Sequence, residues 1–283
     1  MTTYYEFQKQ FPDDDACLAH IMQVRYGGTE LQCPKCERHG KFYRLTNQLG
    51  YSCQHCGHHI HPCAGTFLHR THTPLHKWFF AMHLFSTSRH GVAAKELQRQ
   101  LGVSYPTALR MAHLIRGHMA EVDGEHPLDG DVEADETYIG GRRRGYGRGY
   151  RKDRAVVFGM VERDGDVMAK VVPNVRKRTL QPIIEENVAR GSTVHTDELR
   201  SYLSLAKAGY THRTVNHSDD EYVDGDSHVN AVEGFWSRLK NAIRGTHVHV
   251  SAKHLAKYVK EFEYRYNRRK KPGRMFRELV AQF

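Results

Sequence analysis

Four cysteines, Cys33, Cys36, Cys53 and Cys56, constrain this chain more than any other feature. They read C-x2-C, sixteen residues, C-x2-C. Two residues between paired thiolates let both sulfurs reach one ion at about 2.3 Å, and two such knuckles complete a closed tetrahedral Zn²⁺ site. Pro34 and Gly57 supply the tight turns, and Lys41 to Leu45 and Leu49 to Ser52 read as short strands of a zinc ribbon. Disulfides are the alternative. They are disfavoured because residues 1–15 are polar and acidic rather than a basic stretch leading into an apolar one, so the chain is expected to be cytosolic. His39, His55, His58, His59 and His61 lie nearby, yet four thiolates already saturate the ion. Cys17 and Cys63 read as small buried residues.

Beyond this cluster the sequence excludes several classes. Six cysteines in 283 residues are too few for a disulfide scaffold, and no run approaches the ~20 apolar residues of a membrane span. The length and a 39% hydrophobic content suit about two domains with cores of their own. Lys and Arg number 42 against 32 Asp and Glu, a net charge of 42 − 32 = +10 that calls for an acidic partner.

Leu75 to Ser86 is an aromatic-rich helical segment containing Trp78, Phe79, Phe80 and Phe85, whose default use is core packing. Val92 to Arg116 carries two short helical patterns broken at Gly102, the layout of a helix-turn-helix. Leu97 and Leu101 point inward, Ser104 caps the second helix and Pro106 sits in its first turn. Tyr105, Thr107 and Arg110 then face a DNA major groove. A plain αα-hairpin is the alternative, since Gln98 stands where a small residue usually lets two such helices approach.

From Asp131 the texture changes to strand-length runs. Val132 to Ile139, Ala155 to Glu162 and Val167 to Val172 read as strands, the last two joined by a turn at 163–166. Thr179 to Ala189 has helical period, and Thr193 to Thr196 and Thr211 to His217 read as further strands. The expected order is β β β α β α β α, that of an α/β RNase H-like fold: a mixed sheet flanked by helices. In that fold Asp135 on the first strand, Asp197 at the end of the fourth and Glu233 on the following helix converge. Such carboxylates hold Mg²⁺ (or Mn²⁺) during phosphoryl transfer. Taken singly each acid is weak evidence, with plain solvation the open alternative for Glu133, Glu136, Glu198, Asp219 and Asp220 as well. Asn230, Glu233, Ser237 and Lys240 share one helical face; Val232, Phe235, Trp236 and Leu239 fill the other as core.

Taken together these residues resemble bacterial insertion-sequence transposases of the acidic-triad (DDE) class, with an ISXO-type transposase domain behind an N-terminal zinc ribbon. The likeness covers nearly the whole chain. It rests on both cysteine knuckles, Gly65-Thr66, Pro74-Leu-His-Lys-Trp78, Val132-Glu-Ala-Asp-Glu-Thr-Tyr-Ile-Gly-Gly141, Thr196-Asp197 with Tyr202, His228 through Lys240, and Glu261-Phe-Glu-Tyr-Arg-Tyr-Asn-Arg-Arg269. The resemblance implies metal-dependent DNA cleavage at element ends followed by strand transfer, with Asp135 and Asp197 as metal ligands. It draws the third residue from the 230–233 region. Glu233 is assigned because Lys240 lies seven residues beyond it, a common separation in such transposases, and Asn230 is the alternative. The implied partners are double-stranded DNA, both terminal inverted repeats and target, with a homo-oligomer forming on it at the nucleoid; no membrane is involved. A DNA-binding regulator without cleavage and a stand-alone RNase H-like nuclease are the competing functions.

Two basic groups suit such a partner. Residues 142–154 carry seven cations and one acid in thirteen positions, and Arg142, Arg143, Arg144, Arg148, Arg151 and Lys152 are expected on the DNA backbone, a solvated hairpin loop being the alternative. Arg265, Arg268 and Arg269 belong to a second cluster expected to face phosphate. The expected segments are a helical lead at 1–28, the ribbon at 29–70, a helix-turn-helix segment at 71–122 and the catalytic domain at 128–283.

Overall fold

The computed structural model describes residues 3–124, 127–140, 154–214 and 229–283. The chain divides into two compact units, one formed by Met1–His118 with Lys271–Phe283 and the other by Met119–Lys270. Among the described residues no helix is long and apolar enough to cross a membrane.

In the first unit, local capping sets the helix starts. Thr3 and Glu6 form a reciprocal capping box at the head of α1 (Tyr4–Gln10), and Asp13 Oδ1 accepts the Ala16 N–H (2.8 Å) at the head of α2 (Asp14–Tyr26). Four short antiparallel strands follow in sequence order: β1 (Glu30–Gln32), β2 (His39–Arg44), β3 (Tyr51–Cys53) and β4 (His59–Ile60). The two expected ribbon strands are β2 and β3; a turn closed by Leu45 N–H on Gly50 O (2.9 Å) delays β3 to Tyr51. α3 (Leu75–Thr87) buries Leu75, Trp78, Phe79 and Phe85. α4 (Ala94–Leu101) ends at Gly102, whose φ of 59° is a conformation that favours glycine, and α5 (Tyr105–Asp123) follows. The boundary between the units falls within α5.

The second unit is built on a five-stranded sheet. β5 (Asp131–Gly140), β6 (Arg154–Glu162) and β7 (Val167–Val172) form an antiparallel meander; α6 (Lys177–Asn187) leads to β8 (Thr193–Thr196), which pairs parallel to β5, and β9 (Thr211–Thr214) pairs parallel to β8. The order across the sheet is β7-β6-β5-β8-β9. One face of β5 to β7 packs on α7 (Asn230–Ala242) and α8 (Ala252–Asn267) through Val157, Val161, Ala169, Phe235, Trp236 and Phe262. The other packs Val132, Ala134, Phe158 and Met160 against α6 and the segment after β8.

That last segment departs from expectation. No α-helix joins β8 to β9; two single 3-10 turns, Arg200–Tyr202 and Ala206–Ala208, do. Leu199, Tyr202 and Leu205 recur every three residues, which keeps them on one side of a three-residue turn and carries Tyr202 and Leu205 into the core. The end of the fifth strand expected at 215–217 lies outside the described residues.

α8 also closes a sheet edge. β7 is an edge strand, and its Val167 and Ala169 N–H groups donate to Asn267 Oδ1 and Glu263 Oε2, both at 2.8 Å. Donors two apart on a strand face the same way, and acceptors four apart share a helix face, so the two periods mesh. Beyond α8 the chain returns to the first unit. There α9 (Met275–Val280) sets Phe276 against Phe7 and Phe11, with ring centroids 5.8 and 6.0 Å apart. Residues 271–283, expected in the catalytic domain, therefore make their core with the first unit.

Candidate active site and metal centre

The two cysteine knuckles fold identically. Cys33 N–H donates to Arg38 O and Glu37 N–H to Cys33 O (3.0 and 2.9 Å); Cys53 N–H donates to His58 O and Gly57 N–H to Cys53 O (2.8 and 3.0 Å). The fourth residue after each leading cysteine, Glu37 or Gly57, has φ of 58° or 68°. The turns bring all four Sγ atoms within 4.8 Å of one another, with Cys33–Cys56 at 3.7 Å and Cys36–Cys53 at 4.0 Å. A tetrahedron of ~2.3 Å Zn–S bonds has edges of about 3.8 Å. The set therefore fits structural Zn²⁺. Cys17 and Cys63 are buried outside it.

In the second unit the acids converge through sheet register. β5 and β8 pair Asp131 with Thr193, Val132 with Val194 and Glu133 with His195. The same offset, carried two residues on, sets Asp135 beside Asp197, one residue past the end of β8. Asp197 is fixed there by its own turn, accepting the Leu199 N–H at 3.0 Å. Across the other neighbour, Asp135 faces Gly159 on β6. A Cβ there would stand 2.5 Å from the Trp236 ring, and the space it leaves lets the indole N–H donate to Asp135 Oδ2 at 2.9 Å. Sequence reasoning placed Trp236 in the core; it is buried and also a donor to the central acid.

The electrostatics centre on Asp135. Burial raises its carboxyl from 3.8 to about 6, with Asp197 and Glu233 adding repulsion and the Trp236 N–H opposing them. Glu136, on the other face of β5, is pushed up to about 7 by burial and by Asp197 and Asp135, and accepts the Tyr202 hydroxyl at 2.8 Å. Lys240 is lowered by partial burial and by Arg244, while Asp135 and Glu233 pull it back up. Glu233 and Asn230 are both exposed on α7. Among the described residues no trio of carboxylates meets the 4.8 Å spacing of the cysteines. The acids thus form an open cluster, the arrangement in which a hard cation keeps waters or substrate oxygens among its ligands.

Two neighbouring acids for which solvation was the open alternative are drawn in from solvent. Glu133 is fully buried, and Glu136 is half-buried against Tyr202. The signal for Glu133 was its place two residues before Asp135, on the same strand face.

For the cations expected on DNA the structure gives mixed placements. Tyr105 and Arg110 are exposed at the start of α5, and Thr107 is half-buried and bonded to Ser104 at 2.9 Å. Lys95 of α4 lies 4.7 Å from the Tyr105 ring centroid. Arg265 is buried in an ion pair with Glu261 (2.8 Å), and Arg268 bonds Asp123 while stacking on Tyr264. Those pairings give both arginines a structural part, at odds with the phosphate-facing role expected of them. Arg269 lies over the Tyr266 ring at 3.8 Å. Arg142, Arg143, Arg144, Arg148, Arg151 and Lys152 lie outside the described residues.

Comparison with known proteins places this architecture. A family model described as an ISXO2-like transposase domain matches residues 127–267, and one described as a transposase zinc-ribbon domain matches residues 12–59. The chain belongs to the insertion-sequence transposases with an ISXO2-like transposase domain and a zinc ribbon. It is similar to a protein of transposable element ISH50 from Halobacterium salinarum, 28% identical over 94% of this chain and 95% of that protein. It is also similar to a transposase-like protein of Haemophilus influenzae, 36% identical over 36% of this chain and 80% of that protein.

Proposed function

We propose that the chain is a divalent-metal-dependent DNA transposase. Its second unit is read as an RNase H-like catalytic domain, with Asp135, Asp197 and Glu233 as the acidic set and Lys240 as its phosphate-facing cation. The supporting topology is a three-stranded antiparallel meander extended by two parallel strands, with the acids on the central strand, at the end of its parallel neighbour and on α7. One observation carries the reading: the register that sets Asp135 beside Asp197 also leaves Asp135 a carboxyl whose ionisation is opposed by burial and by two further acids. Such a donor set is satisfied by a divalent cation.

Asp135, Asp197 and Glu233 would hold Mg²⁺ or Mn²⁺, which when bound supplies charge neutralisation at the phosphoryl group and at the attacking and leaving oxygens. The chain's own residues do the rest. The Trp236 N–H orients the Asp135 carboxylate, the turn at Leu199 orients Asp197, and Lys240 offers a positive charge to a non-bridging oxygen. Positioning and charge stabilisation are the main demands of phosphoryl transfer, and no covalent protein intermediate is required. α4, Gly102 and α5 supply a helix-turn-helix that would present Tyr105, Thr107 and Arg110 to element-end DNA, with the arginines of 142–154 on the backbone and more than one copy assembling on paired ends.

The test is cleavage of DNA bearing the inverted repeats that flank the gene. Mg²⁺-dependent nicking at the repeat boundary by the full chain, lost in Asp135→Asn with end binding intact, is the expected result. Undiminished nicking by that variant would overturn the site assignment; cleavage of any duplex at equal rate would favour the plain nuclease.

A further inference from the structure

We infer that Glu133 is a positioning residue: a buried carboxylate on β5 that clamps the N-terminus of α7 and so sets Glu233 and Lys240 over Asp135. The inference rests on the reading of Asp135 and Glu233 as catalytic acids.

A helix leaves its first N–H groups without partners, and a Ser, Thr or Asp at the N-cap usually serves one of them. α7 has Val229 at that position and no side-chain cap of its own. Glu133 takes over from a different element. Its Oε2 accepts the Ala231 and Val232 N–H groups at 2.7 and 3.2 Å, and its Oε1 accepts Arg163 Nε at 3.1 Å. The side chain is 0% exposed, so these bonds form out of water, where a carboxylate at a helix N-terminus gains most from the helix dipole.

Its place on the strand gives the clamp a functional sense. Glu133 and Asp135 are two residues apart and project from the same face of β5. Asp135 holds α7 a second time, through the Trp236 N–H at 2.9 Å. The two anchors lie about 7 Å apart along the strand, at ~3.3 Å per residue, and roughly 6 to 8 Å apart along the helix, at 1.5 Å per residue from Ala231 or Val232 to Trp236. Matching spans fix helix against strand at two points, and Glu233 lies between them. Arg163, at the β6–β7 turn, balances the carboxylate's charge.

Glu133→Ala and Glu133→Gln in the full chain test this, alongside Asp135→Asn, with element-end DNA and Mg²⁺ titration. Glu133→Ala is expected to cut nicking about 100-fold, raise the Mg²⁺ midpoint about 10-fold and leave end binding within threefold. Gln keeps an acceptor for the two amides and should recover about 10-fold of the rate. Independently of activity, hydrogen exchange in a peptide covering Ala231 and Val232 should quicken at least 10-fold in the Ala variant and less in Gln. Wild-type exchange there in both variants, or wild-type rate and Mg²⁺ midpoint in both while Asp135→Asn is inactive, overturns the inference. If Asp135→Asn stays active the catalytic reading fails, and the exchange result alone decides the clamp. Should the Ala variant not fold, Gln with wild-type exchange and Mg²⁺ midpoint but lost activity also overturns it.

Discussion

Asp135 on β5 and Gly159 on β6 stand opposite each other, and the absent side chain of the glycine is what lets Trp236 reach the acid. Gly159→Ala should therefore displace a rigid ring rather than a flexible tip. We expect a loss of about 1 to 3 kcal/mol in stability from overpacking, a shifted tryptophan emission and reduced nicking. Urea unfolding followed by fluorescence checks it, and Trp236→Phe, which has room but lacks the donor, separates space from hydrogen bonding. An Ala variant with wild-type emission and midpoint would contradict the contact.

The raised carboxyl of Asp135 has a consequence for metal-free protein. Folded Asp135 titrates at about 6 against 3.8 for an aspartate in water, so between those pH values the folded state holds a proton the unfolded chain has released. Stability must then fall as pH rises through that window. In chelator, unfolding free energy should drop between roughly pH 4 and 6, by about 3 kcal/mol at most. Asp135→Asn should reduce that slope and be the more stable protein above pH 6, while Mg²⁺ should restore the wild type. Equal slopes in the two proteins count against a desolvated Asp135.

At the ribbon, Cys53→Ser removes one of four thiolates. Zinc content should fall from one per chain towards none, and end binding should weaken, while the second unit keeps its secondary structure. Native mass spectrometry showing full zinc occupancy in the variant would contradict a four-thiolate site.

Glu233 and Asn230 are to be compared directly. With Glu233 electrostatically coupled to Asp135 and Lys240, Glu233→Gln should lower nicking by at least 100-fold and Asn230→Ala by less than 10-fold. The reverse ranking in a single-turnover assay transfers the third role to Asn230.

Much of this molecule was legible because its signals are local. The cysteine spacing alone implied the ribbon, and β7 and β8 run over the residues that their apolar patterns marked, Val167–Val172 and Thr193–Thr196. What escaped depends on partners distant in sequence. Glu133 looked like any acid on a strand until α7 offered it two amides, 98 and 99 residues away. Trp236 fitted an apolar helix face, and only its indole nitrogen betrayed a second role. Arg265 and Arg268 read as a basic patch because sequence charge does not reveal that Glu261 and Asp123 are waiting beside them. The 3-10 turns after β8 were missed because a period of three over so few residues passes for a helix.

The seal that α8 places on β7 makes the second unit hard to subdivide. Glu263 and Asn267 occupy donors that would otherwise be open to a strand of another molecule, and the matched transposase domain ends at Asn267 itself. A fragment cut upstream of α8 would keep every proposed catalytic residue and lose its protection against strand exchange. The proposed catalytic residues and the cover on this sheet edge are thus carried together, as one block of chain.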